Sequence, residues 1–271
     1  MTPTAELLAI ALKAAEAAAR VHLLYRGRVG VRDAVQKGPS DFVSFVDTEA
    51  EKAALDVIRE RFPEHAILAE ESPMSAGSSP SGAVRAGGPL WIVDPLDGTT
   101  NYLHGHPMYS ASVGVAIGGE PTVGAIVASE TEDRWWAEKG AGAYRNGERI
   151  HTSSVRNMAE ALVGTGFPFR RPEELPRYLE EFRRVFGACS GIRRGGSAAL
   201  DFCYLAQGSL DAFWEGNLAP WDVAAGRVIL AEAGGAASRR DGSPIETAED
   251  GSVVAANSAE LLEAVRMVLG P

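Results

Sequence analysis

Two aspartates three residues apart form the most informative feature of the sequence. The apolar run 90–93 predicts a buried strand, and Asp94 and Asp97 follow it on a predicted turn. Two carboxylates on one turn repel each other unless a cation lies between them, and hard oxygen ligands suit Mg²⁺ or Mn²⁺. Gly98 lets the backbone approach a ligand closely, so that its N–H and that of Thr99 can bind an anion. We therefore expect this loop to bind both a cation and a phosphate, although an Asp-rich turn that only caps a helix has the same pattern.

Further acidic residues lie at the ends of other predicted elements. Glu70 and Glu71 follow the short apolar strand Ala66–Ala69, at the kind of strand end where ligands bind in α/β sheets. Asp222 follows Trp221 and opens a predicted helix, where a carboxylate is also a good N-cap. Three separate acidic ends favour a site for several metal ions. Such ions are also needed because a chain with a net charge of −10 would otherwise repel a dianionic phosphate.

The N-terminal half must position the first of these residues. We expect a helix over Thr4–Tyr25 and a second one, capped by Asp47 or Thr48, that runs to about Arg61. The Ser-, Gly- and Pro-rich segment Ser72–Gly88 predicts a surface loop. A β-rich block follows, with hairpin signals at 118–121 and 146–147, and its predicted strands are Ser110–Ile117, Thr122–Ala128, Arg134–Glu138 and Gly142–Ile150.

From about residue 152 the pattern changes to strands that alternate with helices. The predicted strands are Leu162–Thr165, Leu210–Trp214 and Ser252–Ala256, and the predicted helices are Pro172–Phe186, Ser197–Gln207, Asp222–Ala233 and a last one capped by Asn257 or Ser258. An antiparallel α+β domain over 1–150 and an α/β domain over 151–271 is the simplest organisation.

Composition narrows the class of protein. The 271 residues include 26 Lys and Arg against 36 Asp and Glu, which argues against binding to nucleic acid or to an anionic membrane surface. No apolar run approaches the roughly 20 residues that span a bilayer, and the first residues are typical of an amphipathic helix and not of a signal peptide. We expect a cytoplasmic protein in which Cys189 and Cys203 are free thiols.

Two motifs resemble a known family. The stretch Asp94–Tyr102, DPLDGTTNY, is similar to the first signature of the inositol monophosphatase family of lithium-sensitive, Mg-dependent phosphatases. The stretch Trp221–Gly226, WDVAAG, which continues to Glu232–Gly235, resembles the second signature. The likeness runs from Lys37 to the C-terminus. It implies an α+β fold of the sugar-phosphatase type, a layered α-β-α-β-α sandwich with an antiparallel N-terminal sheet and a mixed C-terminal sheet.

The resemblance also implies a set of metal ligands. Two to three Mg²⁺ ions are expected, with Mn²⁺ as an alternative. Glu70, Asp94 and the Leu96 carbonyl would hold the first ion. Asp94, Asp97 and Asp222 would hold the second, and Glu70 would help to retain a third.

Catalytic and substrate-binding residues follow from the same resemblance. Thr99 and Glu70 would orient the attacking water, with Asp47 hydrogen-bonded behind Thr99. Glu215 would accept hydroxyls of a sugar or cyclitol, and Lys37 lies in a loop that is mobile in relatives. Gly196-Ser197-Ala198 stands where relatives usually have Gly-Thr-Ala. The implied substrate contacts are Asp97, Gly98, Thr99, Gly196, Ser197, Ala198, Glu215 and Asp222.

The implied activity is direct hydrolysis of myo-inositol 1-phosphate to inositol and phosphate, with no phospho-enzyme. The segment Asp94–Thr99, which carries predicted metal ligands, is called the metal loop. Thr100 and Asn101 follow it, as in inositol monophosphatases and unlike relatives that act on phosphoadenosine phosphate. Fructose-1,6-bisphosphatases of dual specificity share these two residues, so fructose 1,6-bisphosphate is an alternative substrate. Histidinol phosphate is a further alternative. A haloacid-dehalogenase-type phosphatase would need an Asp-x-Asp spacing, which Asp94 and Asp97 do not have.

Partners are also implied. Family members are commonly homodimers, and some bacterial relatives bind the transcription machinery, so a regulatory binding protein is the non-enzymatic alternative. Arg193 and Arg194 could contact a substrate phosphate, although a solvated face or a subunit contact is the simpler interpretation.

Overall fold

The computed structural model describes residues 3–38, 41–72, 87–247 and 249–270, without the side chains of residues 37, 38 and 41. Most of the predicted surface loop Ser72–Gly88 lies outside these ranges. None of the described helices is long and apolar enough to cross a membrane. Seven α-helices lie in the described residues: α1 (Thr4–Tyr25), α2 (Phe45–Arg61), α3 (Thr99–Leu103), α4 (Leu175–Ala188), α5 (Ala198–Ala206), α6 (Pro220–Glu232) and α7 (Ala259–Leu269).

The described strands form three sheets. A two-stranded hairpin consists of β1 (Val35–Gly38) and β2 (Asp41–Val43). The seven-stranded sheet has the order β3-β4-β5-β6-β7-β8-β9, formed by Ala66–Ala69, Pro89–Asp97, Ser110–Ile117, Glu120–Ala128, Asp133–Glu138, Gly142–Arg145 and Glu148–Ile150. The five-stranded sheet has the order β11-β10-β12-β14-β13, where β10 to β14 are Leu162–Thr165, Gly191–Arg193, Ala212–Leu218, Ala236–Ser238 and Gly251–Ala256.

The predicted difference between the two sheets is confirmed. The large sheet is antiparallel except for the pair β3 and β4. The smaller sheet is mixed, because β10 is parallel to both of its neighbours while β14 is antiparallel to both of its own.

The helices and sheets stack in five layers. Helices α1 and α2 cover one face of the large sheet, and α6 covers the other face with α5 beside it. Helices α4 and α7 cover the outer face of the smaller sheet, around Trp214 and Val254. The α-β-α-β-α sandwich is therefore confirmed.

The central layer joins the two halves of the chain. Its apolar cluster takes Ile126 and Trp135 from the large sheet and Phe202, Phe213 and Ile229 from the C-terminal half, all of them buried. The change from one sheet to the other falls between β9 and β10, close to residue 150. The two-domain division at that residue stays a prediction.

Several predicted boundaries were wrong, among them the start of α2 and the end of β4. Helix α2 is capped by Ser44, whose hydroxyl accepts from the Val46 N–H, while Asp47 is the third helical residue and accepts from the Ser44 N–H. Strand β4 does not stop at Asp94 but continues to Asp97, because neighbouring β5 pairs with it on both sides of a bulge.

Helix α6 lies unusually close to the large sheet because two strands present glycine to it. A methyl group at Gly114 would lie 2.8 Å from the Ala224 Cβ, and one at Gly124 would lie 2.3 Å from the Ala225 carbonyl oxygen. A backbone carbonyl in a packed helix cannot move aside as a flexible side chain can. The two glycines therefore fix the height of α6 above the sheet.

We predict that Gly124→Ala lowers the free energy of unfolding by at least about 2 kcal/mol, because the new methyl group overlaps the backbone of α6. Gly187→Ala is the matched control: Gly187 lies in helix α4, and its added methyl group would meet no atom within 4 Å. The control should gain about 0.5–1 kcal/mol from helix propensity. Urea unfolding measures both, and equal effects would contradict the close approach of α6.

Candidate active site

The predicted site residues meet at a cavity of about 290 Å³ between the two sheets. Its walls come from the end of β4, the start of α3, the segment before α5, strand β12, the start of α6 and the loop that follows β10. The predicted residues that line it are Glu70, Asp94, Leu96, Asp97, Gly98, Thr99, Gly196, Ala198, Glu215 and Asp222.

The bulge in β4 determines how the first signature is presented. Asp94 pairs with Ser112 of β5 and Asp97 pairs with Ser110, so the two residues between them share a single partner position. The Leu96 N–H donates to Asp94 Oδ1 at 3.0 Å. In a regular strand, side chains three residues apart point to opposite faces of the sheet. The extra residue of the bulge allows Asp94 and Asp97 to line the same cavity.

Asp97 connects the metal loop to the C-terminal half. Its Oδ2 accepts from the Ser197 hydroxyl at 2.5 Å and from the Ala199 N–H at 2.8 Å. Ser197 also caps α5, because its hydroxyl accepts from the Leu200 N–H at 3.3 Å. Ser197 thus lies behind Asp97 and does not line the cavity itself.

Gly98 turns the chain from β4 into α3. Its φ is +93°, and an added methyl group would lie 2.8 Å from the Met108 carbonyl oxygen, so only glycine fits here without strain. Asn101 fixes the turn from behind by donating to the carbonyls of Met108 at 2.6 Å and Gly195 at 3.0 Å. The amides at this turn are therefore held in one place beside the cavity.

Thr99 and Asp47 form the pair that the resemblance implied. The Thr99 hydroxyl lies 2.9 Å from Asp47 Oδ1 and 3.1 Å from the Leu96 carbonyl oxygen. Asp47 is buried, and its Oδ2 accepts from the amide and the hydroxyl of Ser44 at 2.8 and 2.7 Å. The capping box of α2 therefore fixes Asp47, which in turn fixes Thr99.

Asp222 is the third residue of α6 and not its N-cap. Its Oδ2 accepts from the Ala219 N–H at 2.6 Å, across the first turn of the helix. Next to it, the indole N–H of Trp221 is buried without a hydrogen-bond partner in the described residues. Asp222 also contributes to the cavity wall.

The carboxylates raise one another's pKa. Burial raises the pKa of Asp94 well above its usual range, and the negative charges of Glu70, Asp97 and Asp222 raise it further. Burial, with a smaller contribution from Asp97, raises the pKa of Asp222 to about 7. Burial also raises the pKa of Asp97, against the hydrogen bonds from the α5 segment. The Arg170 guanidinium, 4.0 Å from Glu70, lowers the pKa of Asp97 and of Asp222, but it does not offset the effect of burial.

A hard divalent cation fits these residues. The donors are all oxygens, and an orphaned hydroxyl lies beside them, because Ser112, directly opposite Asp94, has no hydrogen-bond partner among the described residues. In the present side-chain conformations, no three His, Cys, Asp or Glu residues of the described ranges form a preformed metal-coordination site. Common coordination of one ion therefore requires some of these carboxylate side chains to rotate within the cavity.

Glu215 lines the cavity from the C-terminal half of the chain. It lies in the middle of β12 and not at the strand end that the sequence predicted, because β12 extends to Leu218. Its carboxylate covers Gly166, where an added methyl group would overlap it. Burial, together with the charge of Asp201, raises the Glu215 pKa to about 8. A largely protonated carboxyl group can both donate to and accept from sugar hydroxyls.

A cationic rim of the cavity was only partly anticipated, because the sequence reasoning considered Arg194 but not the loop after β10. The loop after β10 carries Phe167, Phe169, Arg170 and Arg171 into the cavity wall. Arg194 also lines the cavity, and its guanidinium lies 5.4 and 5.5 Å from the ring centres of the two phenylalanines. An available signal was the aromatic and basic run directly after a predicted strand of the α/β half.

Three further residues were predicted for the site. Asp47 and Ser197 lie behind the residues that line the cavity. Asp47 accepts a hydrogen bond from Thr99, and Ser197 donates one to Asp97. Lys37 lies in β1, and its side chain is outside the described part. The roles assigned to all these residues stay predictions.

Comparison with known proteins decides the family. The model of the inositol monophosphatase family matches residues 4–268. The chain belongs to the inositol monophosphatase family. It is 39% identical over 254 residues to the Nus factor SuhB of Pseudomonas aeruginosa, with 93% of this chain and 92% of that protein covered. It is 41% identical over 209 residues to a fructose-1,6-bisphosphatase/inositol-1-monophosphatase of Aquifex aeolicus, with 77% and 76% covered.

Solved structures agree with this assignment. The inositol monophosphatase of Anabaena matches with a TM-score of 0.86 and 34% sequence identity, over 99% of this chain and 96% of that one. Family membership and these relatives indicate a phosphatase, and the family is generally metal-dependent.

We predict that a divalent cation stabilises the protein by relieving the repulsion among the buried carboxylates. Binding at a hundred times the dissociation constant contributes about 2.7 kcal/mol, which corresponds to a rise in Tm of roughly 5–10 °C for a chain of this size. Differential scanning fluorimetry with and without MgCl₂, at matched ionic strength, measures the shift. Asp94→Asn should lose most of it, and an undiminished shift in that variant would contradict the site.

Proposed function

We propose that the protein is a Mg²⁺-dependent phosphomonoesterase that hydrolyses myo-inositol 1-phosphate by direct attack of water. The observation that carries this proposal is the convergence of four carboxylates and a fixed glycine turn on one cavity. The carboxylates are those of Glu70, Asp94, Asp97 and Asp222.

Glu70, Asp94, Asp97 and Asp222, with the Leu96 carbonyl, would hold two to three ions. Bound Mg²⁺ supplies a more acidic water on one side of the phosphate and charge neutralisation for the leaving oxygen on the other. Glu70 follows β3 and Asp94 lies within β4. Because these parallel strands pair Ala69 with Val93, the next residue along each strand carries its carboxyl group beside the other.

Thr99 orients the water. With its hydrogen directed to Asp47, its oxygen presents lone pairs to the cavity and can accept a hydrogen bond from a water molecule. The second oxygen of Asp47 is fully used by Ser44, so the pair cannot rotate freely. The water therefore keeps its own lone pairs free for the phosphorus, as in-line attack requires.

The substrate lies between the metal loop and Glu215. The amides of Gly98 and Thr99 would contact the phosphate, and Gly196 and Ala198 would contact the ring. Glu215 would pair with ring hydroxyls. Comparison of kcat/KM with Mg²⁺ for inositol 1-phosphate, fructose 1,6-bisphosphate, histidinol phosphate and phosphoadenosine phosphate tests this choice, and hydrolysis of none of them would overturn the proposal.

We predict that Asp97→Asn abolishes turnover and leaves the fold intact. The amide keeps the size of the side chain and an acceptor for the Ala199 N–H, but it removes a negative charge from the ligand set. We expect kcat to fall by at least about a hundredfold, by analogy with the loss of one catalytic electrostatic contact. The metal-free Tm and the circular dichroism spectrum should stay close to those of the wild type, and retention of most of the activity would exclude this site.

The same variant separates catalysis from a regulatory role, which the name of the Pseudomonas relative raises. A folded but inactive chain should still bind a transcription partner if that is the main function. If Asp97→Asn restored normal growth to cells that lack the wild-type protein, the regulatory role would be favoured.

A second substrate, fructose 1,6-bisphosphate, is favoured by the cationic rim. Arg170, Arg171 and Arg194 line the cavity, and the Arg194 Nη1 atom lies over Gly196, 2.3 Å from where an added methyl group would be. A second phosphate on the substrate would meet these guanidinium groups. The Aquifex relative carries both activities in its name.

We predict that Arg194→Gln lowers kcat/KM for fructose 1,6-bisphosphate about tenfold, because one charge-assisted hydrogen bond is lost. The value for inositol 1-phosphate should change less than about twofold, since that substrate has no second phosphate for the guanidinium to bind. Arg193→Gln is the matched control: Arg193 is exposed, donates to the Ile192 carbonyl, and is absent from the described cavity wall. Equal losses for both substrates, or in both variants, would contradict a role of Arg194 in specificity.

A further inference from the structure

A histidine is buried directly behind the metal loop. His22 lies in the last turn of α1 and is 0% exposed. Its Nε2 is 2.8 Å from the Pro95 carbonyl oxygen, and its Nδ1 is 2.7 Å from the Ser129 hydroxyl. These two contacts connect helix α1 and the end of β6 to the residue between Asp94 and Leu96.

The two hydrogen bonds determine the tautomer. A carbonyl oxygen can only accept, so Nε2 carries the proton and donates to Pro95. In the neutral ring Nδ1 is then an acceptor, and the Ser129 hydroxyl donates to it. Burial lowers the pKa of His22 to about 4, so the ring is neutral near pH 7.

The Pro95 carbonyl needs such a partner because it lies in the bulge of β4. Pro95 and Leu96 together face one position of β5, so the sheet does not fix the carbonyls of both. The Leu96 carbonyl lies near the Thr99 hydroxyl, at 3.1 Å, and the Pro95 carbonyl is held by His22. Rotation of either peptide would move the Leu96 oxygen and the Asp94 carboxylate relative to each other.

His22 itself is held on several sides. Its own carbonyl accepts from the Tyr102 hydroxyl at 3.0 Å. The rings of Tyr102 and Tyr109 lie 6.0 and 5.9 Å from its ring centre. A side chain fixed in this way can impose its geometry on the loop it contacts.

We infer that His22 is a positioning residue for the metal loop, which fixes the Pro95 peptide so that Asp94 and the Leu96 carbonyl face the same cation. This inference rests on the proposed function for the presence and the identity of the cation. His22 lies outside both sequence signatures and makes no contact with the cavity in the described residues.

Two amide variants separate the two hydrogen bonds. In His22→Gln the side-chain amide nitrogen can replace Nε2 and still donate to Pro95. In His22→Asn the shorter side chain reaches only as far as Nδ1, so it keeps the contact with Ser129 and loses the one with Pro95. Titration of each metal-free protein with Mn²⁺ by isothermal calorimetry gives the dissociation constant without any substrate.

We expect His22→Asn to bind Mn²⁺ about tenfold more weakly and His22→Gln to stay within about threefold of the wild type, in the range found for residues that support metal ligands. The concentration of Mg²⁺ at half-maximal activity should rise in parallel, while KM for inositol 1-phosphate at saturating Mg²⁺ stays unchanged. Ser153→Ala, which removes a half-buried hydroxyl bonded to Asp211, controls for destabilisation alone and should leave the Mn²⁺ affinity unchanged.

Equal Mn²⁺ affinities of the Asn and Gln variants would overturn the role of His22. If His22→Asn does not fold, Ser129→Ala replaces it, because loss of the hydrogen bond to Nδ1 removes one of the two contacts that hold the ring with Nε2 toward Pro95. Wild-type Mn²⁺ affinity in that variant would overturn the inference too. A wild-type protein that binds neither Mn²⁺ nor Mg²⁺ and hydrolyses no ester would instead remove the proposed function.

Discussion

The structure depends on one electrostatic constraint: four carboxylates face one partly buried cavity, and each raises the free energy of ionising the others. Such a group is costly without a cation, so the surrounding fold has to hold it together. Hydrogen bonds from Ser197 and Ala199 stabilise Asp97, and the Ala219 N–H stabilises Asp222. Each of these donors belongs to the start of a helix in the central layer, where unpaired N–H groups are available.

The central layer therefore has two functions. Helices α5 and α6 fill the apolar space between the sheets, and their first residues supply donors to the acidic cavity. The close contact between α6 and the glycines of the large sheet fixes the position of Asp222 relative to Asp94. Packing in the core and geometry in the site are in this way coupled through the same helix.

Much of this arrangement could be predicted from the sequence. The errors concern features that depend on which side chains meet in the folded protein. The layered fold and the residues of both signatures were anticipated through the resemblance to the family, which two long motifs carry. The cap of α2 was misplaced from Ser44 to Asp47 or Thr48, since the choice among adjacent polar residues depends on which side chain finds a partner. The rim around Arg194 was underestimated, because its aromatic neighbours come from a loop distant in the chain.

The sequence alone determined which chemical groups are available: oxygen ligands, a glycine turn and helix starts that can support them. Only the tertiary structure decided which of them meet. His22 and Ser129 are separated from Pro95 by many residues, and nothing in their local pattern distinguishes them from ordinary core positions. The physical reason is that hydrogen bonds and charges act over a few ångströms in space, whereas patterns in sequence report mainly on the local backbone and on which face is buried.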